Sequence, residues 1–153
     1  MPLGPENAQW TALQRALGAL CNEAGASHVA IFDESCLMWC AYFAGSESSE
    51  ATAERLERDG MTLFTRHIAP QKERMRRGAR VHVCRCDPAE SELYVLESFA
   101  GIYVLALWFS DTFPELSALA KVRRALPDIE ALTLALPPPD GPDATSGTGA
   151  QRA

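Results

Sequence analysis

Long hydrophobic runs are missing from this chain: "IYVLALWF" (102–109) has eight apolar residues, against the ~20 that a bilayer-crossing helix needs. The start, "MPLGPENAQW", has no basic segment followed by an apolar one, so no secretory signal is read and the cytoplasm is the expected compartment. Cysteine is sparse and odd in number, five residues without framework spacing, which sets aside a disulfide-stapled scaffold. There is no glycine-rich phosphate loop, no Ser-His-Asp arrangement and no paired-acid motif. Positive charge is in short supply as well. The net charge of −6 makes the chain a poor general binder of nucleic acid.

What remains is an ordinary soluble composition in 153 residues, 47% hydrophobic and 22% charged, enough for one domain with a real core. The charge is uneven. Residues 1–70 hold nine acids against four bases, and residues 87–113 hold five acids and no base. Between them, "QKERMRRGARVHVCR" (71–85) holds six bases and one acid. Such a block suits an acidic surface, including an acidic patch on a second copy.

Trp10, Leu13, Leu17, Leu20 and Ala24 recur at helical spacing and predict a helix over about 6–24, capped by Gly25. "HVAIF" and "CLMWCAYFA" flank "DES" and predict two strands joined by a tight turn. Both strands are apolar on both faces, so both faces must be covered. A second helix follows, capped by Ser48 or Ser49 and ended by Pro70. Its stripe of Ala53, Leu56, Gly60, Leu63, Phe64 and His67 is thin. A mid-helix glycine costs roughly 1 kcal/mol against alanine, so Gly60 calls for close approach by the sheet or by another subunit.

"RVHVCRC", "ELYVLES" and "IYVLALWF" predict three more strands, with "FAG" turning the chain between the last two. A last helix opens at Asp111 or Thr112, with Pro114 in its first turn and a stripe of Leu116, Leu119, Val122 and Leu126. Pro127 is expected to kink or split it. "PPPDGPDATSGTGAQRA" has no large apolar residue and is expected to be a disordered tail over 137–153. Short connections make the strands antiparallel, and two-faced strands need helices on both sides. The expected fold is α+β, one five-stranded antiparallel sheet with helices on both faces.

This element order resembles the roadblock / dynein light chain family over about residues 6–136. The resemblance is carried by "IYVLALWFSDTFPELSALAKVRRALPDIEAL" and by the first hairpin, "HVAIFDESCLMWCA". The bacterial branch, of the MglB kind, looks most similar, and a diverged paralogue of it fits too. The chain departs from the family pattern at Cys36, where many members have glycine three residues after the turn aspartate. The resemblance implies a non-enzymatic dimer of a small Ras-like GTPase system, regulating or scaffolding it with no cofactor. It pairs with itself or with a roadblock paralogue through the second helix and third strand. The surface so implied comprises Leu56, Gly60, Leu63, Phe64 and His67 on the helix. It continues through Arg74, Arg76, Arg77 and Arg80 in the basic segment to His82 and Cys84 on the strand.

"VHVCRCDP" (81–88) raises a sharper alternative, because His82, Cys84 and Cys86 share one strand face. Alternate strand residues lie roughly 7 Å apart, too far for a neat zinc chelate. The same spacing keeps His82 from activating a neighbouring thiol, so a metal- or thiol-dependent enzyme is the weaker reading. The stretch reads instead as an edge strand at a pairing surface, its arginines guarding against uncontrolled pairing. The other alternative is a PAS- or GAF-like ligand sensor, also built on five antiparallel strands. It requires an internal pocket, which Trp39, Phe43, Tyr103 and Trp108 would fill.

Overall fold

The computed structural model describes residues 5–44, 50–87, 92–110 and 115–136. In chain order the elements are α1 (Pro5–Ala24), β1 (His28–Asp33), β2 (Met38–Phe43) and α2 (Glu50–Leu63). A π-helical turn (Phe64–Ile68), a 3-10 turn (Ala69–Gln71) and a short helix α3 (Lys72–Arg76) follow. The described elements continue with β3 (His82–Asp87), β4 (Glu92–Phe99), β5 (Tyr103–Trp108) and α4 (Glu115–Leu134). The strands form one antiparallel sheet in the order β2-β1-β5-β4-β3, the five-stranded α+β arrangement expected. The caps expected at Ser48, Ser49, Asp111 and Thr112 and the tail expected from Pro137 lie outside the described residues.

Two apolar layers sandwich the sheet. On one face Val29, Ile31, Val95, Leu105 and Leu107 meet Leu13, Leu17 and Leu20 of α1 and Val122, Leu126 and Ile129 of α4. On the other, Ala30, Phe32, Leu96, Val104 and Ala106 meet Leu56 and Leu63 of α2, Ile68 and Met75. Four central residues of β1 and five of β5 are buried in succession, as expected of strands covered on both faces. Gly25 ends α1 at φ +78°, and the Ala26 amide donates to the Cys21 carbonyl across 3.0 Å, closing the helix with the bond a left-handed cap allows.

Three local expectations need correction. Pro127 does not split the last helix: α4 runs unbroken from Glu115 to Leu134. Pro127 lies on the exposed side, where water can take up the carbonyl it leaves unpaired, while buried Leu126 and Ile129 hold both halves to the sheet. The stripe of α4 is also rotated. Leu116 is 86% exposed, and fully buried Ala118 takes the first contact instead, its small side chain letting the helix approach closely. Pro70 does not end helical structure either. It falls at the start of the 3-10 turn, where its missing amide costs nothing, and the basic run continues as α3, anchored by buried Met75.

Candidate interaction surface

A sheet of five strands has two rims, and the hydrogen-bond phase shows which backbone groups each presents. On β2, the Ala44 amide donates to the Ser27 carbonyl at 2.9 Å, so Tyr42 and Cys40 point their backbone groups at β1 and Ala41 points outward. That outward carbonyl is taken: Gln14 Nε2 of α1 donates to it across 2.8 Å. The β1–β2 register also shifts between Ile31 and Phe32, bending this edge. Tyr42 is packed so tightly under α1 that a Cβ on Gly18 would lie 2.9 Å from its ring. This rim is blunted.

The β3 rim differs. The Ser98 amide donates to the Val81 carbonyl at 2.9 Å, which makes Val83 and Arg85 the next residues bonded to β4. His82, Cys84 and Cys86 therefore direct their amides and carbonyls away from the sheet, along an edge that no described strand covers. The interval of two in "VHVCRC" marks the residues whose backbone faces outward. Cys84 packs half-buried against the α1/α4 core, and His82 donates from Nδ1 to Oε2 of Glu97, a buried carboxylate directly across the strand pair. Glu97 was legible as the single acid in the alternation Leu93, Val95, Glu97, Phe99.

Around the start of β3 the basic segment is partly committed. Arg76 bonds Glu34 at 2.9 Å and Glu73 at 3.1 Å, fastening α3 to the β1–β2 turn and raising the guanidinium pKa, first through the Glu34 hydrogen bond. Arg74 donates to Gln71 at 2.6 Å, and Arg77 and Arg80 are exposed. At the other end of the strand the π turn aims His67 at Tyr94: Nε2 and the phenol oxygen are 2.8 Å apart, and Arg66 reaches the same oxygen at 3.4 Å.

The α2 residues divide. Leu56 and Leu63 are 5% and 6% exposed and belong to this chain's own core. Gly60 is buried against Phe32, whose Cζ would stand 2.5 Å from an added Cβ, so the close approach comes from the sheet. Phe64 and His67 are half-buried. The outward face of α2 instead offers Met61, 55% exposed.

The space enclosed between α2 and the sheet, lined by Phe32, Leu63, Phe64, Leu96 and Trp108 among others, measures about 10 Å³. That is room for about one water, far below the hundreds of Å³ of a ligand pocket. The groove between α1 and α4, about 240 Å³, is open to solvent. Among the described residues no three of His, Cys, Asp and Glu converge as metal ligands, and no helix is long and apolar enough to cross a membrane. Burial pushes the Cys21 and Cys40 thiols up to about 11, and burial with Asp33 and Glu57 raises Cys36, the reverse of what a nucleophile needs.

No family model and no curated protein matches the sequence. Solved structures do. MglC from Myxococcus xanthus is similar at 17% identity and a TM-score of 0.55, over 78% of this chain and 98% of that one. A structure described as MglB with tetrameric arrangement gives 14% identity and a TM-score of 0.62, over 86% and 93%. The gliding protein MglB of Thermus thermophilus gives 14% and 0.58, again over 86% and 93%. The β3 rim that no described strand covers, the blunted β2 rim and the two-sided helical cover thus belong to a chain with the roadblock-like fold of MglB and MglC.

Proposed function

We propose that this chain is a non-enzymatic, cytoplasmic regulator or scaffold of a small Ras-like GTPase system. It works by protein–protein binding, and its β3 rim pairs with a second copy or with a roadblock paralogue. The observation that carries this reading is the asymmetry of the sheet: one rim is blunted by Gln14 and a bulge, and the other presents outward backbone groups at His82, Cys84 and Cys86 that no described strand covers. An exposed edge is a template for another strand, and a protein that leaves one open while blunting the other has a use for it. The fold of MglB and MglC supplies the regulatory context, and the tetrameric arrangement described for one MglB is a precedent for self-association on this fold.

The GTPase would meet the surface beside the pairing rim, where the exposed Arg77 and Arg80 favour carboxylate partners. No step of the reading requires a nucleophile, a metal or a bound cofactor. Pull-down from the native cytoplasm, followed by GTP hydrolysis with the recovered GTPase, tests it. Recovery of a Ras-like GTPase or a roadblock paralogue is expected, whereas recovery of neither would overturn the reading.

A further inference from the structure

We propose that the outward face of α4 is a self-complementary docking surface, which binds the same face of a second copy, helix against antiparallel helix, away from the β3 rim. Leu116, Ala120, Arg123, Pro127, Ala131 and Leu134 recur along this helix at spacings of three and four, and all six are exposed. They make a second stripe, opposite the buried one of Ala118, Val122, Leu126 and Ile129. Leu116 and Leu134, 86% and 57% exposed, lie about five turns apart and so on one line along the helix.

Charge selects the occupant. Arg123 and Arg124 precede the middle of α4, and Asp128 and Glu130 follow it. None of the four has an ion-pair partner among the described residues. A two-fold axis between Arg123 and Pro127 sets Leu116 of one copy against Leu134 of the other. The same axis brings Arg124 beside Asp128 on one flank and Arg123 beside Glu130 on the other, each pair occurring twice. A parallel arrangement would set arginine against arginine. Pro127 adds an acceptor at the centre: it has no amide to give the Arg123 carbonyl, and the Arg123 guanidinium of the second copy arrives there.

A single pair of such helices buries less than the roughly 1,200 Å² of a stable interface, so a dissociation constant of about 100 micromolar is expected. The contact goes beyond rim pairing and does not depend on it. A chain with two separate two-fold surfaces joins pairs into larger assemblies, and this joint closes only where the local concentration is high.

Sedimentation equilibrium of full-length Cys84→Pro, from about 10 micromolar to about 1 millimolar, tests the docking without the rim. A monomer that becomes a dimer at about 100 micromolar is expected. In that background Arg123→Glu/Arg124→Glu and Asp128→Arg/Glu130→Arg should each weaken the step at least about tenfold. An equimolar mixture of the two, one helix acidic and the other basic, should associate at least as tightly as the parent. A monomer throughout, a step that either pair of substitutions leaves unchanged, or a mixture that stays apart would overturn the proposal. The wild-type chain should show the same step from whichever species it holds at micromolar concentration, so failure of the rim and failure of the α4 face are read separately.

Discussion

The side-chain amide of Gln14 lies 2.8 Å from the carbonyl of Ala41, a bond from α1 to the outer edge of β2 across 27 positions of chain. It occupies the acceptor that an incoming strand would need first. Replacing Gln14 by alanine removes a solvent-accessible hydrogen bond worth about 1 kcal/mol, which urea unfolding would register as a small drop. The larger expected effect is on association: with the β2 rim unlocked, Gln14→Ala should form species beyond a dimer in sedimentation velocity.

Asp33 organises the turn that joins β1 to β2. Its Oδ1 accepts from the amides of Ser35 at 2.8 Å and Leu37 at 3.1 Å, and its Oδ2 accepts from the indole of Trp39 at 2.9 Å. Trp39 in turn stacks on Trp10 of α1 at 6.1 Å between ring centroids. Asp33→Ala strips three donors of one acceptor and should cost about 2–3 kcal/mol in chemical denaturation. Asp33→Asn keeps an oxygen for the two amides and loses the indole bond, so about 1 kcal/mol is expected, with a shift in tryptophan emission as the reporter.

Among the described residues, two with side chains stand in the left-handed region, Cys36 at φ 64° and Ala100 at φ 57°. Ala100 is exposed in the β4–β5 turn beside Gly101, so Ala100→Gly removes strain without losing packing. The strain of about 1–2 kcal/mol is partly offset by the freer unfolded chain, and a net gain of about 0.5–1 kcal/mol is expected. Cys36→Gly should gain less, because the Cys36 side chain packs against the α2-side core. Paired urea titrations of the two variants check both the sign and the order.

Gly60 and Met61 separate core from surface on adjacent positions of α2. Gly60→Ala forces a Cβ to within 2.5 Å of the Phe32 ring and should destabilise by about 1–3 kcal/mol. Met61→Arg, at a position 55% exposed, should leave unfolding within about 0.5 kcal/mol of the parent. Any weakening of self-association by Met61→Arg would then report an interface and not a damaged core. Equilibrium unfolding and dilution scattering on the same samples distinguish the two.

The architecture was legible because its signals are periodic: the stripe of Leu13, Leu17 and Leu20, the unbroken apolar strands and the turn at Ala100 and Gly101 depend on neighbours in sequence. What escaped depended on partners distant in sequence. Gln14 is one polar residue on a helix until the fold brings it to Ala41. Gly60 left the sheet and a second subunit equally open, because sequence does not show that Phe32 fills the space. The basic run was readable as charge, but its folding into α3 hinges on Met75 meeting the sheet and on Arg76 reaching Glu34, 42 positions away. The outward direction of His82, Cys84 and Cys86 needed the phase of β3 against β4, which a period of two alone leaves open.

The open rim of β3 is tested most directly by proline at its centre. Because the Cys84 amide points away from β4, Cys84→Pro removes a donor from the rim on which a partner would pair and spares the ladder within the chain. Sedimentation equilibrium at micromolar concentration is the measurement. The wild-type chain should be a dimer, and Cys84→Pro a monomer with unchanged circular dichroism. A monomeric wild type, or a Cys84→Pro variant that dimerises as strongly as its parent, would contradict the account.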